Sequence, residues 1–118
     1  LLATDDPQTA IFCGNDVIAF GALDAARSAG VAVPEQLSVI GYDDIEMASW
    51  SAFSLTSVRQ PLRRMARAAA QLLLDRIADP LLPDRRQLFP PGLVTRESTA
   101  RPHDPPPATS GKTDADVH

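Results

Sequence analysis

The stretch that decides the fold is "TAIFCGNDVIAFGALDAARSAGV", residues 9–31, in which an apolar run, a polar turn and a helical pattern follow one another. The β-branched and aromatic side chains within Ala10–Cys13 predict a short buried strand. Either Asn15 or Asp16 can cap the next helix, because both side chains accept hydrogen bonds from free backbone N–H groups. Gly30 stands where a left-handed C-terminal cap is expected. Apolar positions at helical spacing complete this strand–turn–helix unit: Ile18, Ala22, Leu23, Ala26 and Ala29.

Two similar units follow along the chain. Leu37–Gly41 is a second apolar run that ends in polar residues, and Leu55–Gln60 alternates like a third strand. Pro61 suits the first position of a helix, since the N–H that proline lacks needs no partner there. This helix is predicted to run to about Ala78, and the whole pattern predicts an α/β fold with a parallel sheet flanked by helices. The apolar stripe of the helix is Leu62, Met65, Ala69, Leu72, Leu73 and Ile77.

The remaining segments have weaker patterns. Ile45–Phe53 is predicted to be a loop or a short helix with apolar side chains, and one or two further strand segments are expected around Leu88 and Leu93–Arg96. Residues 101–118 have almost nothing to bury and cannot offset their ordering entropy. We therefore expect one domain over residues 1–100 and a disordered, proline-rich tail over 101–118.

Composition excludes several function classes. The 118 residues are 44% hydrophobic, enough for a small core, and carry a formal net charge of -4, which leaves no basic stripe to hold a phosphate backbone. No apolar run is long enough to span a membrane, and no leader for export is seen. The single cysteine, Cys13, lies in an apolar strand, so we expect a small buried side chain rather than a reactive thiol.

The residues that enzymes use most are poorly placed. His103 and His118 both fall in the predicted tail, where a catalytic triad or a metal site would lack a rigid scaffold. The glycines form neither GxGxxG nor a GK[ST] phosphate loop. Asp43 and Asp44 could serve as a general acid and base, but adjacent residues on a strand point to opposite faces. We predict no catalytic residue, no metal ligand and no cofactor.

Three polar side chains follow three predicted strands. Asn15, Asp43 and Gln60 each lie at the carboxyl end of a separate strand, and a parallel sheet would gather them around one crevice. Two of them also have a purely structural interpretation: Asn15 as a helix cap and Asp43 as a turn residue. Carboxylate and amide groups that converge without a His, Lys or metal suit a polyol better than a reaction.

Three arginines crowd the first turns of the third unit's helix, where the helix dipole disfavours cations. They are Arg63, Arg64 and Arg67. The simplest interpretation is a solvated face. The alternative is an anion or an acidic partner nearby.

Four linked motifs give a family resemblance over about Ala10–Thr99. "TAIFCGNDVIAFGALDAARSAGV" leads into "VPEQLSVIGYDD", then "LTSVRQP", and the run closes with "LVTREST". In this order and at these separations they closely resemble the C-terminal part of the lactose-repressor/galactose-repressor (LacI/GalR) family of bacterial transcriptional regulators. That family joins a helix-turn-helix headpiece to an effector-binding core of two α/β subdomains similar to periplasmic sugar-binding proteins.

The resemblance implies roles for particular residues. Asn15, Asp43 and Gln60 match effector-contacting positions, and Asp16 would be a structural neighbour of that site. By the same analogy the helix from Pro61 to Ala78 belongs to the N-terminal subdomain. The chain is then part of a type I periplasmic-binding-protein-like fold, a fragment of the C-terminal subdomain plus one crossover helix.

The resemblance also implies partners. The effector would be a sugar or related polyol, operator DNA would be contacted only by a headpiece absent from this chain, and the protein would be a cytoplasmic homodimer. Apolar side chains predict where the dimer interface lies: Phe20, Ile45, Met47, Trp50 and Phe53. A periplasmic sugar-binding protein of a transporter is the alternative, and an α/β enzyme using Asp43 or Asp44 is a weaker one.

Overall fold

The structure, a computed structural model, describes residues 8–102. Within this range the chain forms four strands and two α-helices. Their bounds are β1 Ala10–Phe12, α1 Asp16–Ser28, β2 Ser38–Tyr42, β3 Thr56–Arg59, α2 Leu62–Ala78 and β4 Gly92–Val94, with a 3-10 turn at Glu46–Ser49. Each predicted unit is therefore present, and Ile45–Phe53 contains a short helical turn. The first strand was predicted to be buried, but Ala10 and Phe12 of β1 are exposed, so that part of the prediction was wrong. Most of the tail predicted at 101–118 lies outside the described residues.

The strands form one sheet in the order β1-β2-β3-β4. β1, β2 and β3 are parallel, as predicted, with Phe12 beside Ile40 and Tyr42 beside Val58. β4 runs antiparallel to β3. The connection explains this direction. The segment 80–91 returns along α2, so β4 starts beside the carboxyl end of β3, where Gly92 pairs with Arg59. The Arg64 guanidinium over the Phe89 ring, 5.7 Å from its centroid, marks this return.

Helix α1 covers one face of the sheet, and its cap is now resolved. Asn15 Oδ1 accepts a hydrogen bond of 2.8 Å from the Ile18 N–H, so Asn15 is the cap. The Ile18 side chain is exposed, so its assignment to the apolar stripe was wrong. The residues of α1 that are buried are Asp16, Ala19, Phe20, Leu23 and Ala26.

The C-terminal cap of α1 is as predicted. Gly30 has a φ of 70°, in the left-handed region that favours glycine. Its N–H donates to the Arg27 carbonyl, and the Val31 N–H reaches back to the Ala26 carbonyl at 2.9 Å. These two bonds are those of a Schellman motif, which ends the helix and turns the chain toward β2.

The core lies between α1 and the sheet, where Leu37, Val39 and Leu55 are fully buried. Cys13 is buried at the end of β1, as predicted for a small apolar residue, and burial raises the pKa of its thiol.

The segment after β4 completes the far end of the sheet. Ser98 is buried, its hydroxyl donates to the Val39 carbonyl, and the Thr56 N–H donates to that hydroxyl. Of the one or two strand segments predicted in this region, the described chain forms one near Leu93, β4, and none around Leu88, which is exposed on the segment 80–91.

Helix α2 stands apart from this core. It begins at Leu62, directly after Pro61, and ends at Ala78, and none of its residues is buried. Leu73 and Ile77 of its apolar stripe are exposed. None of the helices within residues 8–102 has both the length and the apolar character needed to cross a membrane.

Candidate functional site

The three predicted contact residues lie at one edge of the sheet. Asn15 follows β1, Asp43 follows β2 and Gln60 follows β3. The three strands are parallel neighbours, so their carboxyl ends share this edge. In open α/β sheets ligands bind beyond that edge, which we call the carboxyl edge.

Asp43 and Gln60 form a pair across β2 and β3. Gln60 Nε2 donates to Asp43 Oδ1 at 2.9 Å, and both residues are half-buried. The Asp43 N–H donates to the Val58 carbonyl at 2.9 Å, which extends the pairing of the two strands by one residue. Among the described residues no group donates to Asp43 Oδ2. The pair therefore presents an unused carboxylate oxygen and an amide oxygen at the carboxyl edge.

Asn15 combines two possible roles. Its Oδ1 is used by the helix cap, whereas its Nδ2 donates to no group within residues 8–102. The side chain is half-buried. The cap fixes the side-chain rotamer, and the amide N–H groups remain available to a ligand.

The backbone that carries Asp43 is unusual. Asp43 has a φ of 106° and Asp44 a φ of 51°, two successive non-glycine residues on the left-handed side. Such conformations cost about 1–3 kcal/mol each and persist where surrounding contacts impose them. Two side chains do so here: Ser57 Oγ accepts from the Asp44 N–H at 3.0 Å, and Asp16 Oδ2 accepts from the Ile45 N–H at 2.8 Å.

Asp16 is the buried centre of this arrangement, at 1% exposure. Its Oδ1 accepts from the Ser57 hydroxyl at 2.5 Å, so one carboxylate joins the start of α1 to β3 and to the loop after β2. Gly41 makes room for it, because a Cβ there would lie 2.2 Å from Asp16 Oδ1. The need for glycine at this position was not predicted from the sequence. The signal available was a glycine inside an apolar strand, which marks a close approach.

The sequence suggests only a possible acid or base role for Asp44, whereas the structure pairs its carboxylate with two arginines. Its Oδ2 accepts from Arg59 Nε at 2.5 Å, and its Oδ1 lies 2.7 Å from Arg96 Nη2. Burial raises the pKa of the Asp44 carboxyl, but the hydrogen bonds and charges of Arg96 and Arg59 outweigh it and hold the pKa below its ordinary value. No pattern in the sequence links these residues, which are 15 to 52 positions apart.

The predicted interface residues divide into two groups. Phe20 is only 9% exposed, and its ring lies 4.2 Å from the Phe53 ring between centroids. The expectation that Phe20 presents a free apolar surface was therefore wrong, because α1 turns it toward the core. Phe53 and Met47 are partly buried against the same core. Ile45 and Trp50 are exposed, and Trp50 keeps 51% of its surface.

The arginines of α2 lie on an open surface. Arg63, Arg64 and Arg67 are exposed and form no ion pair with a described carboxylate. They line an open cleft of about 560 Å³ with Gln87 and Phe89.

Metal chemistry finds no support in the described part of the chain. No group of three or more His, Cys, Asp or Glu side chains within residues 8–102 could hold a metal ion. His103 and His118 lie outside the described residues.

Comparison with known proteins agrees with this geometry. The family model for the periplasmic binding protein-like domain matches residues 1–99. The chain is 40% identical over 98 residues to the HTH-type transcriptional repressor PurR of Aliivibrio salmonicida, covering 83% of this chain and 29% of that protein. It is 44% identical over 93 residues to an uncharacterised HTH-type transcriptional regulator of Streptomyces limosus, covering 79% and 26%.

Two solved structures show the same fold. A LacI-family regulator from Enterococcus faecalis with bound ribose has a TM-score of 0.74 and 39% identity, covering 84% of this chain and 36% of that one. The complex of the regulator CelR with cellobiose has a TM-score of 0.72 and 38% identity, covering 76% and 28%.

The fold and the comparisons thus define an α/β protein of the periplasmic binding protein-like class. The chain belongs to this family, and the relatives and structures it matches are HTH-type and LacI-family transcriptional regulators. It spans less than a third of the length of the curated relatives described above. Those relatives are transcriptional regulators, which are not enzymes, and this agrees with the prediction of a non-enzymatic protein.

Proposed function

We propose that this chain is the effector-sensing part of a LacI-type transcriptional regulator and binds a small sugar-like ligand at the carboxyl edge. The observation that carries the proposal is the Asp43–Gln60 pair, held at 2.9 Å where two parallel strands end. Asn15 completes the set from the neighbouring strand. Asp16 is the structural neighbour that holds the start of α1 against the loop carrying Asp43.

The chemistry of the three side chains favours a polyol. A carboxylate accepts hydrogen bonds from hydroxyl groups, whereas the amides of Gln60 and Asn15 both donate and accept, so adjacent hydroxyls of a sugar can be paired. The related regulators from E. faecalis and CelR were solved with ribose and cellobiose. Within residues 8–102 no group of three or more His, Cys, Asp or Glu side chains could hold a metal ion beside this set, and the Asp43–Gln60 pair is suited to binding hydroxyl groups.

The path of the chain supports a mechanism by which effector binding changes DNA binding. Gln60 lies at the end of β3, directly before the chain leaves the sheet for α2, and β4 begins where the chain returns. A ligand held at this point favours one orientation of α2 relative to the sheet. In this proposal that orientation alters operator binding by a headpiece outside this chain, as a shift between two states with different effector affinity.

The assembly belongs to the same proposal. A homodimer would use exposed apolar side chains such as Ile45 and Trp50, and the protein would act in the cytoplasm, where operator DNA lies. The related HTH-type repressors support this placement.

The test is calorimetric titration of the full-length protein with a panel of pentoses, hexoses and disaccharides that includes ribose, sucrose and cellobiose. Asp43→Ala should lower the affinity for whichever sugar binds by about tenfold or more, since a charged hydrogen bond contributes about 1.5–3 kcal/mol. Asp24→Ala, an exposed carboxylate on α1, is the matched control. Equal affinity of the Asp43→Ala variant and the wild type would show that Asp43 is not a contact, and a panel without any binder would contradict the sugar assignment.

A further inference from the structure

Asp44 lies beside the proposed effector contacts, and three segments of the chain converge on it. Its side chain is 2% exposed. Oδ2 accepts from Arg59 at 2.5 Å, and Oδ1 lies 2.7 Å from Arg96. Arg59 is the last residue of β3, and Arg96 follows β4.

These two arginines mark both places where the chain crosses between the sheet and α2. β3 leads out to α2 through Gln60, and β4 receives the chain back. Arg96 is also anchored to the sheet, because its Nη1 donates to the Leu55 carbonyl at 2.6 Å. Asp44 therefore ties the outgoing and the returning strand to the loop that carries Asp43.

Two bridges between this loop and the end of β3 lie side by side. Asp43 accepts from Gln60, and the next residue, Asp44, accepts from the residue before Gln60, Arg59. The loop backbone is left-handed at both aspartates. The direction of the Asp43 side chain thus depends on the contacts that hold this turn. Among these contacts, the ion pairs of Asp44 are between charged groups and are therefore expected to be strong.

We infer that Asp44, through Arg59 and Arg96, is the positioning residue that holds Asp43 and Gln60 in their paired geometry, an inference that rests on the proposed function for its purpose. The two arginines differ in exposure: the Arg96 side chain is 16% exposed and the Arg59 side chain 61%. Arg96 is the fixed part of the cluster. Arg59 is the part that can be removed while Asp44 keeps a countercharge.

The experiment therefore uses Arg59→Gln in the full-length protein, with Arg59→Lys as the conservative variant. Arg85→Gln is the matched control, since it removes another exposed arginine from an aspartate, Asp75 on α2. Two readouts need no sugar: the side-chain amide signal of Gln60 in protein labelled with ¹⁵N-glutamine, and hydrogen exchange of the Asp44 and Ile45 amides.

In Arg59→Gln we expect the Gln60 amide signal to move toward that of a free carboxamide and the exchange of the two loop amides to rise about tenfold. Arg59→Lys should restore part of both, and Arg85→Gln should change neither. Sugar affinity should fall about three- to tenfold in Arg59→Gln but not fall further when Asp43→Ala is already present, because neighbouring residues that act together are not additive.

The two proposals fail in different ways. An unchanged Gln60 signal and unchanged loop exchange in Arg59→Gln overturn the positioning role, whatever the affinity. A lower melting temperature without these local changes also overturns it, since a merely structural ion pair acts that way. Local changes together with wild-type sugar affinity in Asp43→Ala support the positioning role and contradict the proposed effector site.

Discussion

Gly41 lies directly against the buried carboxylate of Asp16: a Cβ at Gly41 would lie 2.2 Å from Oδ1 of Asp16. The contact explains why β2 contains a glycine between apolar residues. It also links the core to the carboxyl edge, because the same carboxylate accepts from the Ile45 N–H beside the two aspartates.

Gly41→Ala should destabilise the protein strongly. The added methyl would meet Asp16 and also Leu55 Cδ2 at 2.8 Å. Overpacking of this kind costs about 1–3 kcal/mol, measured as the free energy of unfolding in urea. Gly21→Ala is the control, since its Cβ meets nothing within 4 Å and it lies inside α1. Equal stability of the Gly41→Ala variant and the wild type would show that β2 and α1 separate easily.

Ser57→Ala should loosen the loop after β2. The Ser57 hydroxyl donates to Asp16 Oδ1 and accepts from the Asp44 N–H, so its loss leaves two inner polar groups short of a partner. We expect a loss of about 1–3 kcal/mol for each such group that water cannot reach, read from thermal unfolding. Ser49→Ala removes an exposed hydroxyl and should change stability little. A Ser57→Ala variant as stable as Ser49→Ala would contradict this account.

Acid should weaken the fold through Asp44. Arg96 and Arg59 hold the pKa of its carboxyl below the ordinary value despite burial. A carboxyl whose pKa falls on folding stabilises the protein above its unfolded pKa, and this contribution is lost as the pH drops through the folded pKa. The free energy of unfolding should therefore fall below about pH 4, near the unfolded pKa of aspartate.

Urea unfolding between neutral and acidic pH measures this fall. Asp44→Asn should be less stable at neutral pH and show a flatter decline, whereas Asp24→Asn should follow the wild type. A decline of equal steepness in Asp44→Asn would show that other groups cause it.

Full-length protein is expected to sediment as a homodimer. Trp50 is 51% exposed, Ile45 is exposed on the same segment between β2 and β3, and an exposed Trp is a frequent centre of interfaces. Trp50→Glu should shift the protein toward monomer in analytical ultracentrifugation at micromolar concentration. Leu81→Glu, at an apolar residue on the segment 80–91 that is even more exposed, should not. A monomeric wild type, or a dimeric Trp50→Glu variant, would place the interface elsewhere or remove it.

The 118-residue chain on its own should bind no operator DNA and melt without a sharp transition, so the unfolding measurements described above use the full-length protein. Its formal charge of -4 offers no attraction to phosphates. No residue of α2 is buried, so this chain leaves the helix without a packing partner, at a cost of about 1.5–3 kcal/mol for each large apolar side chain left in water. Gel-shift titration at low salt and calorimetric melting test the two parts. Tight sequence-specific binding contradicts the first, and a cooperative melt contradicts the second.

The sequence by itself determined the local elements. The Gly30 cap, the start of α2 after Pro61 and the three parallel strands all follow from patterns within a few residues, because capping and periodicity act over one or two turns. The position of Asn15, Asp43 and Gln60 at one edge also followed, since it depends only on the polarity of the strands.

Tertiary structure alone decided which groups meet across the fold. The antiparallel β4, the Phe20–Phe53 contact and the Asp44–Arg59–Arg96 cluster join residues 15 to 52 positions apart. Such pairings leave no periodic signal, because they depend on how the connections return to the sheet. Asp44 shows the physical reason. In the sequence it stands next to Asp43 and suggests a possible acid or base, and only the folded chain brings the guanidinium groups of Arg59 and Arg96 to its carboxylate.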